Sequence, residues 1–223
     1  MRVLWRTRDR FAIIPYLRLV RWDRLFEDLE DQLASEWEAE RVALESESER
    51  LRLSKLTVRE RLIALQRADV VAFGFADGTM LRGSICAVGG DFAAVRPERS
   101  GARGDAPLVV MPVDAIATIA LAHADLLRSA RGDHEPRSPL ADRVTLGFVL
   151  RDAARRRRGV HVALSSGETL AGTIDRVGAD HLDLALHDAG APRRASEVTG
   201  FRLVPFAGLS WVRLDQVADH ELP

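Results

Sequence analysis

From Trp22 to Trp37 the apolar residues recur every three or four positions, as Trp22, Leu25, Leu29, Leu33 and Trp37, against an almost wholly polar background. That spacing lays one apolar stripe along a helix. Trp37, Leu44, Leu51, Val58 and Leu65 then follow at sevens, the step of a coiled-coil seam, although the intervening seam positions Arg41, Ser48 and Lys55 are polar. Beyond Val70 the period changes. Phe73 and Phe75 alternate with small or polar neighbours, as do Val162 and Leu164, which is the pattern of half-buried strands. A long N-terminal helix followed by strands, an α+β chain, is therefore predicted.

The strand region is written twice. Val71, Gly78, Leu81, Gly83, Ile85, Val88, Gly89 and Asp91 find identical residues 89 positions later, at Val160, Gly167, Leu170, Gly172, Ile174, Val177, Gly178 and Asp180. A duplicated module is implied. Asp77-Gly78 and Ser166-Gly167 read as tight turns that fold the next strand back antiparallel. The glycine inside each second strand, Gly83 or Gly172, marks a bend or a close backbone approach. Strands are then expected at Phe92–Val95 and His181–Leu186, at Leu108–Pro112 and Phe201–Pro205, and at Ile116–Leu121 and Leu209–Leu214. Five short, bent strands per copy predict a small, partly open barrel. A helix precedes each one: for the second copy it should start at Ser138-Pro139 and close at Arg155-Arg156-Arg157-Arg158, with Gly159 as a left-handed cap.

This order of elements, with Gly78 ahead of a bent strand carrying Gly83 and Ile85, and a late valine-rich strand running through a brief turn into Ala115–Ile119, resembles the Sm-like (Hfq-type) branch of the SH3-like barrels. The chain is also similar to a group of actinobacterial proteins that has no activity attached. The resemblance implies tandem helix-plus-barrel units of SH3-like (Sm-like) fold. It implies no RNA site here, because Val113-Asp114 and Phe206-Ala207 stand where the bacterial RNA chaperone has its lysine-histidine pair.

The domain organisation expected is an arginine-rich N-terminal extension at 1–21, an acidic helical segment at 22–67, a first barrel at 68–124, a linker at 125–138, and a helix with the second barrel at 139–223. The apolar run inside the extension is far shorter than the roughly 20 residues that cross a bilayer. An over-extended start, with the native protein beginning near Val20, is one reading of this segment; whether the residues before Val20 belong to the native protein is left open by the sequence. With 223 residues and 47% hydrophobic content the chain can bury a sizeable core. Its single cysteine, Cys86, excludes an internal disulfide and fits a reducing compartment, so a cytoplasmic location is expected.

The net charge of −1 hides segregation. Between Asp23 and Glu49 eleven carboxylates face only Arg24 and Arg41, a surface that repels phosphate. The run Arg155, Arg156, Arg157 and Arg158 would attract it, but it lacks interleaved aromatics for base stacking. His181, Asp183 and His187 alternate along one strand face and read as a polar set turned to water. Leu56–Glu60 resembles the opening of a LuxR-type helix-turn-helix, yet a strand follows where the recognition helix should stand, and Thr57 and Glu60 have capping-box spacing instead. No catalytic, cofactor-binding or metal-ligating set is expected. The reading that follows is a non-enzymatic adaptor or scaffold, acting through protein contacts of the helix stripe Trp22, Leu25, Leu29, Leu33 and Trp37 and of the tandem barrels. Homo-oligomerisation through that helix is a further expectation, and the alternative is an RNA- or DNA-associated regulator that uses Arg155–Arg158.

Overall fold

The computed structural model describes residues 14–98, 107–131, 139–188 and 194–215, with the backbone alone for residues 14–24 and Pro139. The chain divides into a unit ending at Lys55 and a unit beginning at Leu56. The first unit holds one helix, α1, Ile14–Lys55. It starts inside the segment expected to be an extension, and it stops short of the predicted Arg67. Thr57 ends the run: its extended backbone (φ −84°, ψ 158°) makes it the N-cap of a new helix, α2, Val58–Ala64. The Thr57 hydroxyl accepts from the Glu60 N–H while the Glu60 carboxylate accepts from the Thr57 N–H at 2.7 Å, the reciprocal bond of a capping box. The sevenfold seam is thereby cut, and Leu65, its last expected member, lies buried in the core of the second unit.

The second unit is an antiparallel sheet with short helices. Its strands are β1 Val71–Phe75, β2 Met80–Val88, β3 Phe92–Pro97, β4 Leu108–Pro112, β5 Ile116–Ala120, β6 Gly159–Leu164, β7 Thr169–Val177, β8 His181–Leu186, β9 Gly200–Pro205 and β10 Leu209–Leu214. They lie in the order β5-β1-β2-β3-β4-β10-β6-β7-β8-β9. The two halves thus repeat one strand order, and they repeat its register. Val71 pairs with Gly83 and Gly83 with Pro97 in the first half, as Val160 pairs with Gly172 and Gly172 with Leu186 in the second. Both bent strands slip register at the same place, between Ile85 and Ala87 and between Ile174 and Arg176. Gly78 and Gly167 take the positive φ their turns need (81° and 88°). A side chain at Gly83 or Gly172 would run into the carbonyl oxygen of Arg96 or Ala185 on the neighbouring strand, the close approach that the interior glycine predicts.

Two separate five-stranded units are predicted, whereas the structure joins them edge to edge. β4 pairs antiparallel with β10 through Val110–Val212, Val109–Arg213 and Leu108–Leu214. The cores cross this seam. Phe92, Ala94 and Val110 of the first half pack with Leu150, Val162, Ile174 and Leu184 of the second, and Trp211 of the second packs against the first core of Leu62, Phe73 and Val95. The physical reason is visible in β4: Val109, Val110 and Met111 are consecutive and all buried, so both faces of the strand are covered.

The segment between the halves is not simply a linker. His123–Ala130 forms α3, held by the Arg61 guanidinium, which donates to the Leu126 carbonyl at 2.9 Å and the Ser129 hydroxyl at 2.9 Å; residues 132–138 lie outside the described ones. The single helix expected from Pro139 is two, α4 Pro139–Arg143 and α5 Leu146–Arg155. α5 has its own N-cap, Thr145, and its Leu146 N–H donates to Asp91 of the first half at 2.7 Å. Arg157 (φ 50°), not Gly159, takes the left-handed conformation after α5. No helix of the described residues is long and apolar enough to cross a membrane.

Candidate functional site

α1 is built from strong helix formers and from charge pairs one turn apart. Arg41 meets Glu38 at 2.7 Å and Arg52 meets Glu49 at 2.7 Å, pairs worth roughly 0.2–0.5 kcal/mol each on a helix surface. A helix stabilised chiefly by such pairs gains little from burial, and its large apolar residues remain wet. Leu25 is 46% exposed, Leu29 46%, Leu33 51% and Trp37 73%. The Trp22 side chain lies outside the described ones. At 1.5 Å per residue, Leu25 to Trp37 spans about 18 Å of helix. Steps of four place these residues on one inclined ridge, the surface that a crossing helix takes into its groove. Leu44 and Leu51, 65% and 54% exposed, extend apolar surface toward the end of α1.

The arginine run does not form one patch. Arg155 and Arg156 both close on Asp152, at 2.9 and 2.8 Å, and the Arg156 hydrogen bond foremost holds the Asp152 carboxyl below its usual range. Arg157 reaches into a hollow of about 440 Å³ that Arg155, Thr173, Asp175 and Arg176 also line. Arg158 is half-buried, and its buried Nε has no hydrogen-bond partner among the described residues.

The residues His181, Asp183 and His187 are not brought together into one water-facing set. His187 is 6% exposed and follows the end of β8. Its Nδ1 donates to the Asp188 carbonyl at 3.0 Å, and its Nε2 shares a hydrogen bond with the Thr173 hydroxyl at 2.8 Å. Leu186, on the face opposite, is half-buried, because β7 and β9 flank the strand end. His181 instead meets Asp180 at 2.9 Å, a bond that keeps the Asp180 carboxyl below its usual range. No cluster of three metal-ligating side chains occurs among the described residues. Cys86 is exposed at the bulge of β2.

No protein-family model, curated protein or solved structure matches this chain.

Two further features were not apparent from pattern alone. His161 lies between Arg213, whose guanidinium donates to its Nδ1 at 2.7 Å, and Asp215 at 3.3 Å. Burial, and then Arg213, push the imidazole below its ordinary value while Asp215 pulls the other way; the shorter Arg213 contact agrees with a neutral ring. Secondly, Phe201 and Leu203 on β9 are 61% and 64% exposed, although at the same positions of β4 Leu108 is half-buried and Val110 buried. The only sequence sign of this difference is Arg202, which stands where the first copy has Val109.

Proposed function

We propose that the protein is a non-enzymatic adaptor or scaffold, in which α1 captures a partner protein and the sheet unit, read as two Sm-like small barrels fused at one edge, is the platform that carries it. The exposed ridge Leu25, Leu29, Leu33 and Trp37 carries this reading. Large apolar side chains, tryptophan above all, are costly to leave wet and dominate binding energy once covered. The flanks select the partner's chemistry: eleven carboxylates against two arginines between Asp23 and Glu49 favour an amphipathic helix with basic borders and disfavour nucleic acid.

A photo-crosslinking amino acid placed at position 37 of the full chain, with one at Val42 on another side of α1 as control, tests this in cells. One partner protein cross-linked from position 37 and not from 42 is the expected result. Cross-links to a second copy of this chain would assign α1 to homo-oligomerisation instead, and equal labelling from both positions would overturn the ridge as a docking surface. The second reading, an RNA- or DNA-associated regulator, draws on one observation: Arg155, Arg157 and Arg176 line a common hollow. Against it, Asp152 and Asp175 stand beside those same cations.

A further inference from the structure

The same backbone junction occurs in each half of the sheet, where the start of the second strand meets the end of the third. Gly83 pairs with Pro97, and the Glu98 N–H donates to the Arg82 carbonyl at 2.8 Å. In the second half Gly172 pairs with Leu186, and the His187 N–H donates to the Ala171 carbonyl at 3.3 Å. The backbones match and the side chains do not. In the first half Arg82 Nε lies 3.3 Å from Glu98 Oε2, so a guanidinium of the chain's own meets a carboxylate there. In the second half alanine stands in the arginine's place, and a hollow of about 510 Å³ opens beside it. That volume is of the size of small-ligand clefts, roughly 300–1,000 Å³.

Leu170 and Leu186 give this hollow apolar walls, while Asp188 and Glu197 bring two carboxylates to it. The loop that carries Glu197 is tied to β8, since the Thr199 N–H donates to the Leu186 carbonyl at 2.9 Å. His187 also lines the hollow, but both its ring nitrogens are engaged, with the Asp188 carbonyl and the Thr173 hydroxyl. Glu197 is less well satisfied. Its Oε2 is buried with no hydrogen-bond partner among the described residues. Its Oε1 stands 4.0 Å from the Arg194 guanidinium, beyond hydrogen-bond reach, and the Arg194 side chain is 70% exposed and does not line the hollow. A carboxylate oxygen shut off from water without a donor is costly. A cation that carries N–H donors is the group that relieves that cost.

We propose that this hollow binds a guanidinium group on a short aliphatic stem, the chemistry that Arg82 supplies to the first half from within the chain. A planar guanidinium donates two parallel bonds to one carboxylate, which suits Glu197, and Asp188 adds a second negative charge at the rim. The methylenes of the stem pack on Leu170 and Leu186, as arginine stems do on apolar surface. The same pair of carboxylates turns anions away. A free small molecule and an arginine of another protein chain present this group alike, and the hollow is open to both. The site lies wholly within the unit that begins at Leu56 and does not depend on α1.

The test titrates the full chain in amide NMR spectra with three probes: propylguanidinium, a blocked glycine-arginine-glycine peptide, and the same peptide with citrulline, the uncharged isostere, in place of arginine. Saturable shifts of the Leu170, His187 and Thr199 amides with a guanidinium probe, and none with the citrulline peptide, are the expected result. Glu197→Gln should weaken binding about ten- to a hundredfold, the range for one hydrogen bond to a charged group. Ala171→Arg installs the first half's own arginine and should block the hollow. Melting temperatures verify folding, and Asp188→Asn, at an exposed position, replaces either variant that melts early. Both guanidinium sources uphold the proposal: a peptide that binds at least as tightly as propylguanidinium assigns the site to a chain-borne arginine, and a weaker peptide assigns it to a free ligand. No shifts at the hollow from either guanidinium probe, equal shifts from the citrulline peptide, or unchanged affinity in the variants would each overturn it.

Discussion

Ile174→Ala probes the core that the two halves share. Ile174 is 1% exposed and packs with Val162, Leu182 and Leu184 of its own half in the cluster that also takes in Phe92, Ala94 and Val110 of the other. The substitution removes three carbons, worth about 2.4 kcal/mol at ~0.8 kcal/mol per buried methylene. The cavity left behind adds to that, placing the total loss at about 2–5 kcal/mol. In urea titration the midpoint should fall with the slope unchanged, the mark of lost stability in an unaltered transition. Since the cores interlock across β4 and β10, both halves of the sheet should unfold together, and hydrogen exchange should quicken in β2 as much as in β7. A loss below about 0.5 kcal/mol, the range of ordinary surface changes, would show that the strand faces are wrongly assigned. Two separated unfolding steps for the sheet would refute the shared core.

Asp91→Ala removes the acceptor for the first amide of α5 and should cost roughly 0.5–2 kcal/mol in the same titration, as lost helix caps do. Arg157→Gly should stabilise by about 0.5–1 kcal/mol, because a left-handed residue costs roughly 1–2 kcal/mol and the added chain entropy of glycine returns about half of that; an unchanged midpoint would mean the turn carries no strain. His161 gives a pH signature. Its folded-state value is lowered, by burial first and Arg213 second, so as pH falls the unfolded chain takes the proton before the folded one does. Stability is therefore full above about pH 6.5 and declines as pH drops through the lower folded value. Thermal melts of His161→Asn, which keeps an acceptor for Arg213, should show that decline flattened.

Much of the sheet was legible because each strand signal occurs twice. Gly78 and Gly167 fall in the turns, Gly83 and Gly172 in matched bends, and each observed strand starts or ends within a residue or two of its expectation. The joint between halves was not read, since alternation reports which face is buried and says nothing of which edge finds a partner. Its one sign was the unalternating run Leu108-Val109-Val110-Met111 beside the charged copy Phe201-Arg202-Leu203-Val204. The break at Leu56 was masked by a sevenfold spacing that runs through it by coincidence, although the capping pair Thr57 and Glu60 marked the true boundary. The buried His187 escaped because a histidine at a strand end is polar by type, and its burial depends on Thr173, on a strand distant enough that local pattern cannot connect them.

Removing residues 22–49 from the full chain and comparing partner capture with that of wild type tests the adaptor reading most directly. The deletion takes out the whole exposed ridge and eleven carboxylates against two arginines, and leaves Leu56 onward, the separate compact unit, intact. The account predicts that the protein cross-linked from position 37 is no longer captured while the sheet melts at an unchanged temperature. Retention of that partner by the deleted chain would contradict it. So would salt-sensitive RNA or DNA binding that strengthens on the deletion and weakens when Arg155, Arg156, Arg157 and Arg158 become alanine.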